Sequence, residues 1–337
     1  MIDKQKFRAF RIHNDDEGYR AGLEEMPVSG LSEGEVLVKC QYSSINFKDA
    51  LAGTGEGKIL RRFPLNGGID AAGYVAQSSD PGFKEGDPVL CTGCGLSETR
   101  DGGFAEMIRL PSKWAIPLPD GLSVRESMAI GTAGFTAALS LYRMLQNDQK
   151  PDMGPIVVTG ASGGVGSLAV DIFTRAGFEV HAITGSVDKF DFLTGLGATQ
   201  CISRHGLHWG QRPLETARWA GAVDSVGSEM LAGLTRVIKP YGNIASCGLV
   251  AGHDLATTVM PFIIRGISLL GIASAGTARP IRDAIWQHLA DDWKPQHLER
   301  IASHEVGLEE LPETFAKLLA GNAPPRTVVR ISGPATA

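Results

Sequence analysis

The chain contains 337 residues, of which 43% are hydrophobic and 20% are charged, and its formal net charge is −5. This length predicts two domains, because a single core rarely serves many more than about 150 residues. The negative net charge argues against a nucleic-acid-binding protein, which usually carries a broad positive surface. We find no apolar stretch of about 18 residues and no apolar signal segment at the N-terminus, so we expect a cytoplasmic protein that does not span a membrane.

Residues 1–124 contain short β-rich runs such as EVLVKCQYS and GDPVLCTG, separated by turn sequences such as NGG, SDPG and RDGG. This pattern predicts an irregular, mostly antiparallel β domain. The basic residues Lys58, Arg61 and Arg62 lie within five positions of one another in this region. Such a cluster is either solvated or binds an anionic group such as phosphate.

Two of the five cysteines, Cys91 and Cys94, form a C-x-x-C motif. No second C-x-x-C follows it and no histidine lies near it in sequence, so four zinc ligands cannot be assembled from local spacing. We therefore predict neither a metal site nor a redox pair at these two cysteines.

Residues 155–275 alternate β-rich runs with amphipathic stretches, and the candidate strands are IVVTG, EVHAITG, QCISR, AGAVDSVG, GNIASCGLV and GISLLGIAS. This alternation predicts a parallel sheet, and six strands are the size of a dinucleotide-binding Rossmann sheet. A helix, RPIRDAIWQHLADDW, and a final strand, RTVVRIS, are predicted after residue 276. We expect an α/β protein whose Rossmann domain, residues 125–275, is inserted into a β domain formed by residues 1–124 and 276–337.

A glycine-rich turn, TGASGGVGS, follows the first of these strands and precedes a run with helical periodicity. Gly160, Gly163 and Gly166 have the G-x-x-G-x-x-G spacing. Glycine lets the backbone approach a pyrophosphate, and the free N–H groups and dipole of the following helix favour an anion there. The turn therefore predicts phosphate binding, the alternative being a turn that only packs the helix on the sheet.

The residues after the second strand bear on which nucleotide binds. NAD-binding folds usually place an acidic residue about 20 residues after the glycines, where it accepts a hydrogen bond from the ribose 2′-hydroxyl. This chain has Thr184-Gly185-Ser186 there and no carboxylate before position 188, which favours NADPH. Lys189 and Arg204 are candidates to bind the 2′-phosphate, the alternatives being a solvated helix face for Lys189 and a structural role for Arg204.

Seven segments carry a resemblance to a known family: SSINFKDALA (43–52), GIDAAG (68–73), IGTAGFTAAL (130–139), VVTGASGGVG (157–166), GAVDSVG (221–227), CGLVAG (247–252) and TTVMPFIIRG (257–266). Over nearly its full length the chain resembles the medium-chain dehydrogenase/reductase superfamily, and more closely its zinc-free acrylyl-CoA reductase and quinone-oxidoreductase-like branch. The resemblance implies a GroES-like β domain, NADPH as cofactor and a homodimer. The predicted edge strand GISLLGIAS, apolar on both faces, also favours a homodimer joined at that edge.

Zinc-containing members of this superfamily hold a catalytic metal with a cysteine at the end of an early strand and a histidine in a G-H-E motif. In this chain Ser43, Ser44 and Ile69 replace them. Isoleucine has no ligand atom, so we predict that no metal is bound. Hydride addition to an activated C=C bond needs an oriented nicotinamide and donors for the enolate oxygen, and no metal.

The resemblance also assigns cofactor contacts by family position. It places Phe47 beside the cofactor, Ser162, Gly163, Gly164 and Val165 on the pyrophosphate, Arg204 near the adenosine phosphate, and Leu249, Ile263 and Ser274 along the nicotinamide half. Close relatives carry S-G-R where this chain has Thr184-Gly185-Ser186, so the arginine expected on the 2′-phosphate is a serine here.

Asn46 and Asp49 are the polar residues that we expect nearest to the reacting carbons, the alternative for Asn46 being a helix cap. The cluster of Lys58, Arg61 and Arg62 is the candidate for the phosphates of coenzyme A. The predicted function is NADPH-dependent reduction of the C=C bond of a short 2-enoyl-CoA, most simply acryloyl-CoA to propanoyl-CoA. NADPH-dependent reduction of quinones or 2-enals, and non-catalytic NADPH binding, are the alternatives.

Overall fold

The computed structural model describes residues 2–332. It divides into two compact units, the first formed within the described chain by residues 2–132, 275–283 and 298–332 and the second by residues 133–274 and 284–297. Met1 and residues 333–337, which the predicted first domain includes, lie outside the described residues. The bounds differ from the predicted ones chiefly at 284–297, which belong to the second unit because Trp286 stacks on Phe135 and the backbone of His297 donates to Asp171.

The described residues form sixteen strands and nine α-helices. The strands are β1 (Lys6–Asp15), β2 (Gly18–Pro27), β3 (Val36–Ile45), β4 (Leu65–Asn66), β5 (Asp70–Ser78), β6 (Pro88–Thr92), β7 (Met107–Leu110), β8 (Ile116–Pro117), β9 (Ile156–Thr159), β10 (Val180–Thr184), β11 (Gln200–Ser203), β12 (Trp219–Asp224), β13 (Ile238–Ser246), β14 (Ser268–Gly271), β15 (His304–Val306) and β16 (Thr327–Arg330). The helices are α1 (Phe47–Thr54), α2 (Val124–Gln146), α3 (Gly164–Arg175), α4 (Phe190–Thr194), α5 (Ser228–Val237), α6 (Met260–Ile264), α7 (Arg279–Ala290), α8 (Leu298–Ile301) and α9 (Leu311–Leu319).

The first unit contains two sheets. One has the order β2-β1-β4, and the other has the order β15-β16-β3-β5-β6-β8, with β7 also paired to β3. Every pairing in these sheets is antiparallel except that of β15 with β16. The predicted final strand is therefore present as β16, and it returns to pair with β3 near the start of the chain.

The second unit is built on a six-stranded parallel sheet with the order β11-β10-β9-β12-β13-β14. Its central strands β9 and β12 are buried at every position, as expected for strands covered on both faces. In chain order this is the 3-2-1-4-5-6 arrangement of a Rossmann sheet, which places the crevice at the ends of β9 and β12. The predicted fold class is confirmed.

Helix α2 is interrupted at Gly131, where φ is 51° and ψ is −159°. A Cβ at Gly131 would meet the side chains of Ser44, Asp70 and Arg326 at 2.6 to 2.7 Å, so both the backbone conformation and the space require glycine. The second part of α2 therefore begins at Thr132, directly after the break and next to those side chains. No helix within residues 2–332 is long and apolar enough to cross a membrane.

Candidate active site

The glycine-rich turn lies where the sequence predicts it, between β9 and α3 in the second unit. A Cβ at Gly166 would overlap the carbonyl oxygen of Gly160, so glycine at 166 lets α3 pack directly against the turn. Gly164, Val165 and Gly166 form the first turn of α3. Backbone N–H groups in the first turn of a helix have no carbonyl partner within the helix, and here they are available to an anion.

The residues predicted to select the nucleotide come together beside this turn. The hydroxyl groups of Ser162 and Thr184 lie 2.8 Å apart, and Thr184 Oγ1 accepts the backbone N–H of Ser186 at 3.1 Å. A Cβ built on Gly185 would lie 2.5 Å from Arg204 Nε, so the Arg204 guanidinium lies directly over Gly185. The arrangement offers hydroxyl and guanidinium donors at this strand end, which suit a phosphate.

The side chain of Lys189 makes no hydrogen bond to these nucleotide-selecting residues in the described structure. Its Nζ lies 3.8 Å from Asp188 Oδ2, and both side chains are at least half exposed. A surface ion pair of this kind holds a side chain weakly, so Lys189 is free to take another anion.

The apolar residues assigned to the cofactor are unusually exposed within their own units. Phe47 of the first unit is 43% exposed, and Leu249 and Ile263 of the second unit are 66% and 74% exposed. Ser274 is half-buried at the end of the second unit. Large apolar side chains left in solvent often mark a surface that another molecule covers.

The centre of the first unit holds a buried polar network around the carboxylate of Asp70. Its oxygens accept hydrogen bonds from Ser44 Oγ at 2.6 Å and Asn46 Nδ2 at 2.8 Å. They also accept the backbone N–H of Thr132 at 3.0 Å and its hydroxyl group at 2.5 Å. The hydroxyl of Ser43 donates to the backbone oxygen of Asp70 at 2.6 Å. Asp70, on β5, thus links β3, Asn46 and Thr132 within the first unit.

Asn46 and Asp49, the predicted catalytic residues, belong to this network. Asp49 is buried, and its carboxylate accepts the backbone N–H of Asn46 at 2.8 Å and that of Ile69 at 2.9 Å. Asn46 Nδ2 donates to Asp49 at 3.1 Å as well as to Asp70, so its amide hydrogens are engaged by carboxylates. Burial, reinforced by the charge of Asp70, raises the pKa of Asp49 to about 7.

Arg326 closes the network from the far end of the chain. Its guanidinium is 2% exposed and donates to Asn46 Oδ1 at 3.1 Å and to the carbonyl of Ile45 at 2.9 Å. It also donates to the carbonyls of Met128 and Ala129, which end the first part of α2. Burial lowers the pKa of Arg326, and the charges of Asp70 and Asp49 oppose that effect. The orientation of the Asn46 amide is therefore fixed on both sides.

The basic cluster predicted to meet a CoA ester is exposed on the first unit. Arg61 Nη2 lies 3.1 Å from Glu98 Oε1, and its side chain remains 73% exposed. Arg62 Nη2 donates to Ser32 Oγ at 2.7 Å. Lys58 is exposed as well. Each of the three heads is at the surface, although the two arginines already have a protein partner.

Two protein families match the chain. Residues 32–120 match the alcohol dehydrogenase GroES-like domain, and residues 164–290 match the family described as zinc-binding dehydrogenase. YhfP of Bacillus subtilis, named as a quinone oxidoreductase, is 42% identical over 96% of this chain and 99% of its own length. The acrylyl-CoA reductase AcuI of Ruegeria pomeroyi is 39% identical over 97% of this chain and 99% of its own length. The chain belongs to the medium-chain dehydrogenase/reductase superfamily.

Solved structures from this superfamily agree with the fold. The YhdH oxidoreductase of Salmonella enterica in complex with NADP superposes with a TM-score of 0.93, at 41% identity over 96% of this chain and all of that one. YhfP of Bacillus subtilis with NAD bound gives a TM-score of 0.93 at 41% identity over 97% of this chain and all of that one.

The positions that hold zinc in other members of the superfamily are unsuited to a metal here. The hydroxyl groups of Ser43 and Ser44 are both engaged by Asp70, and the side chain at 69 is a buried isoleucine. Within residues 2–332, no group of three or more His, Cys, Asp or Glu side chains could hold a metal ion. The donor set thus places the chain with the zinc-free members of the medium-chain dehydrogenase/reductase superfamily.

Sequence reasoning missed Asp70, Thr132 and Arg326 as parts of the site. A signal was present for two of them, because Asp70 lies in GIDAAG and Thr132 lies in IGTAGFTAAL, two of the segments that carry the family resemblance. Arg326 had no such signal, since an arginine before a final strand is ordinary. Its role is visible only after β16 is seen to pair with β3.

Proposed function

We propose that the protein is an NADPH-dependent reductase of the C=C bond of a short 2-enoyl-CoA, most simply converting acryloyl-CoA to propanoyl-CoA. The observation that carries the proposal is the 39% identity, over 97% of the chain, to a relative named acrylyl-CoA reductase. The side chains at the zinc positions support it, because they cannot polarise a carbonyl or alcohol as a metal would. Reduction of an activated C=C bond has no such requirement.

The second unit fits NADPH by its own geometry. The first turn of α3 would hold the pyrophosphate through the backbone of residues 163–166 and the hydroxyl of Ser162. Arg204 over Gly185, with Ser186 and Lys189 beside it, would hold the 2′-phosphate. The relative solved with NADP supports this choice of nucleotide. When bound, NADPH supplies the hydride.

Phe47 is proposed to lie beside the cofactor, and Leu249, Ile263 and Ser274 are proposed to lie along its nicotinamide half. Phe47 follows Asn46 directly and is the first residue of α1. The hydrogen bonds of Asp49 to the backbone of residues 46 and 69 fix the start of α1, and with it the backbone from which Phe47 projects. An apolar wall there would exclude water from the reacting carbons.

Asn46 and Asp49 remain the proposed catalytic residues. Asn46 is half-buried, whereas Asp49 is 2% exposed and accepts a hydrogen bond from the Asn46 amide. A thioester that gains hydride at its β-carbon leaves an enolate oxygen that needs a donor, and its α-carbon then needs a proton. A carboxyl with a pKa near 7 exchanges a proton readily at neutral pH, and the hydrogen bonds that Asp49 accepts from Asn46 hold the Asn46 amide in place.

The CoA portion is proposed to bind at Lys58, Arg61 and Arg62. Its phosphates lie far from the reacting carbons, and binding energy from such a remote group raises turnover as well as affinity. Arg61 would exchange its surface pairing with Glu98 for a phosphate at small cost, because an exposed ion pair is worth at most about 1 kcal/mol.

A cytoplasmic location stays a prediction. We propose that the protein is a homodimer whose two chains are joined at β14. β14 is the last strand of the parallel sheet and leaves one edge without a strand partner in the described chain. Leu269 on this strand is 36% exposed. A second copy of the strand would satisfy the edge.

Steady-state kinetics with a panel of acceptors test the proposal. Acryloyl-CoA should be reduced with a far higher kcat/KM than free acrylate or a simple quinone. Replacing Arg61 and Arg62 together by alanine should reduce this difference in kcat/KM, because it weakens binding of the CoA portion, which free acrylate and quinones lack. Replacing Lys6 and Lys317 together by alanine is the matched control, because both are exposed, ion-paired bases of the same unit. It should leave that difference unchanged.

A quinone or free enal that matched the thioester in kcat/KM would overturn the CoA assignment and favour the second candidate, a quinone or 2-enal oxidoreductase. That candidate is supported by the relative named as a quinone oxidoreductase, at 42% identity. Stoichiometric NADPH binding with no turnover of any acceptor would instead indicate a non-catalytic binding protein.

A further inference from the structure

Cys91 and Cys94 lie side by side at one end of β6 in the first unit. Cys91 is fully buried and pairs with Ala71 of β5. The chain then turns through Gly93, Cys94 and Gly95, whose φ angles are 69°, 52° and 78°. A positive φ at a residue other than glycine is uncommon. Cys94 packs against the same buried hydrophobic cluster that contains Cys91.

A buried arginine holds the other side of this turn. Arg282 is 2% exposed, and its Nη1 donates to the carbonyl of Thr92 at 2.7 Å and to its hydroxyl at 3.0 Å. Its Nη2 donates to the carbonyl of Ala275 at 3.3 Å, and the backbone N–H of Cys94 donates to the same carbonyl at 3.2 Å. The guanidinium charge is thus fixed next to the cysteine turn by contacts with the backbone on both sides.

The two thiols differ in exposure and in proton affinity. Cys94 is half-buried and reachable from solvent, whereas Cys91 is enclosed. The neighbouring Cys91 thiol, assisted by the charges of Arg282 and Arg279, lowers the pKa of Cys94 to about 7. The Cys94 thiol and burial hold the pKa of Cys91 well above its ordinary value. One accessible thiolate beside one protected thiol is the arrangement of an attacking and a resolving cysteine.

We propose that Cys91 and Cys94 form a thiol–disulfide exchange site that reacts with low-molecular-weight disulfides. The Cys94 thiolate attacks one sulfur of the disulfide, forming a mixed disulfide and releasing the first thiolate. Cys91 attacks Cys94 Sγ and gives its proton to the departing sulfur, which breaks the mixed disulfide and releases the second thiol. The two cysteines lose two electrons and form one intramolecular disulfide, and the small disulfide gains those electrons as two thiols.

This proposal departs from the sequence analysis, which predicted neither a metal site nor a redox pair at these two cysteines. The remaining cysteines lack the same arrangement. Burial raises the pKa of both Cys40 and Cys247 to about 12. Cys201 is half-buried, and its thiol donates to the carbonyl of Phe190 at 3.6 Å. The reaction should therefore be confined to Cys91 and Cys94.

Mass spectrometry of the intact protein treated with oxidised glutathione tests the proposal. The wild type should lose two hydrogens, and peptide mapping without reductant should locate the bond between Cys91 and Cys94. In Cys91→Ser the resolving thiol is gone, so one glutathionyl group should accumulate on Cys94. Cys94→Ser should form neither product. Cys201→Ser is the matched control and should behave as the wild type does.

Alkylation of the wild type with iodoacetamide gives a second measurement that needs no variant. Cys94 should react first, and its rate should rise with pH around a midpoint of about 7. An unchanged mass after treatment with oxidised glutathione, or a disulfide that involves another cysteine, would overturn the proposal. An ordinary thiol has a pKa of about 8.5. A rate of Cys94 alkylation that rises only above about that pH would also overturn the proposal.

Discussion

Arg204 gives the most direct residue-scale test of nucleotide preference. Its guanidinium lies over Gly185 at the strand end where the 2′-phosphate is proposed to bind. Arg204→Ala should remove one charge-assisted hydrogen bond worth about 1.5–3 kcal/mol, which weakens NADPH binding roughly tenfold to a hundredfold. Binding of NADH, which lacks that phosphate, should change little. Fluorescence titration with each nucleotide measures both dissociation constants.

The matched control for Arg204 is Arg212→Ala, which removes an exposed arginine of the same unit that pairs with Glu215. It should leave both nucleotides unaffected. Equal losses of NADPH and NADH binding in Arg204→Ala would show that the arginine is structural, and a wild-type preference for NADH would contradict the reading of Ser186.

Asp49 makes a prediction about stability and pH. Its pKa is raised from 3.8 to about 7 in the folded protein, so between roughly pH 4 and 7 the folded state keeps a proton that the unfolded chain loses. The stability that this proton contributes is present at pH 4 and is lost as the pH rises through 7. The fall in Tm caused by Asp49→Asn should therefore be larger at pH 5 than at pH 8.

Thermal unfolding of the wild type and the variant at both pH values measures that difference. Asp120→Asn removes an exposed carboxylate from the same unit and serves as the control, with equal effects expected at the two pH values. A Tm difference for Asp49→Asn that grew toward pH 8 would mean that the ionised carboxylate is the stabilising form.

At the scale of elements, β14 carries the prediction of assembly. The wild type should form a dimer of 35.8 kDa chains, because a free strand edge with apolar side chains is stabilised by pairing. Leu269→Lys places a charge on that strand and should shift the protein toward monomer. Light scattering over a range of micromolar concentrations measures the mass.

Leu23→Lys is the control for this experiment, since Leu23 lies on β2 and is 37% exposed, close to the 36% of Leu269. It should remain dimeric. A wild-type mass of one chain at micromolar concentration would rule out the dimer, and a dimer that survives Leu269→Lys unchanged would move the interface elsewhere.

The elements also show what the sequence could predict. The parallel sheet was predictable because most strands of residues 155–275 are short apolar runs that a helical run follows, which is local information. The glycine turn was predictable because the residue that requires glycine at 166 is close in sequence: a Cβ there would overlap the carbonyl oxygen of Gly160, only six residues earlier. The network around Asp70 was not, because Ser44, Thr132 and Arg326 reach it from positions far away in the sequence, and local patterns do not show that they meet.

The roles of Asn46 and Cys94 show the same limit. As a residue before a helix, Asn46 was expected either to cap α1 or to meet the substrate; it is the N-cap residue of α1, and its amide hydrogens bind two carboxylates. One of these, on Asp70, is 24 residues away in the sequence. For Cys94 the charge that matters comes from Arg282, which the C-x-x-C spacing cannot reveal.

For the whole molecule, the prediction is that activity does not depend on metal. The hydroxyl groups of Ser43 and Ser44 are committed to Asp70, and Ile69 offers no ligand atom. Elemental analysis of the purified protein should find well under one equivalent of zinc per chain. Prolonged treatment with a chelator should leave kcat unchanged, and a zinc-containing alcohol dehydrogenase assayed alongside should lose activity. Close to one equivalent of metal, with activity abolished by the chelator, would contradict the prediction.

The pairing of β3 with β16 has a consequence for how the chain is made. Arg326, next to β16, binds the carbonyl of Ile45 at the end of β3 across 281 positions of sequence. At about 5–20 residues per second, a ribosome needs roughly 15 to 60 s to produce the one after the other. During that delay the six strands of the second unit, ending at Gly271, have all left the ribosome, while the Tyr42–Ile45 end of β3 still lacks its partner. The nascent chain therefore carries an unpaired strand next to the unfinished polar network around Asp70, and chaperones that shield such edges would act on the first unit rather than the second.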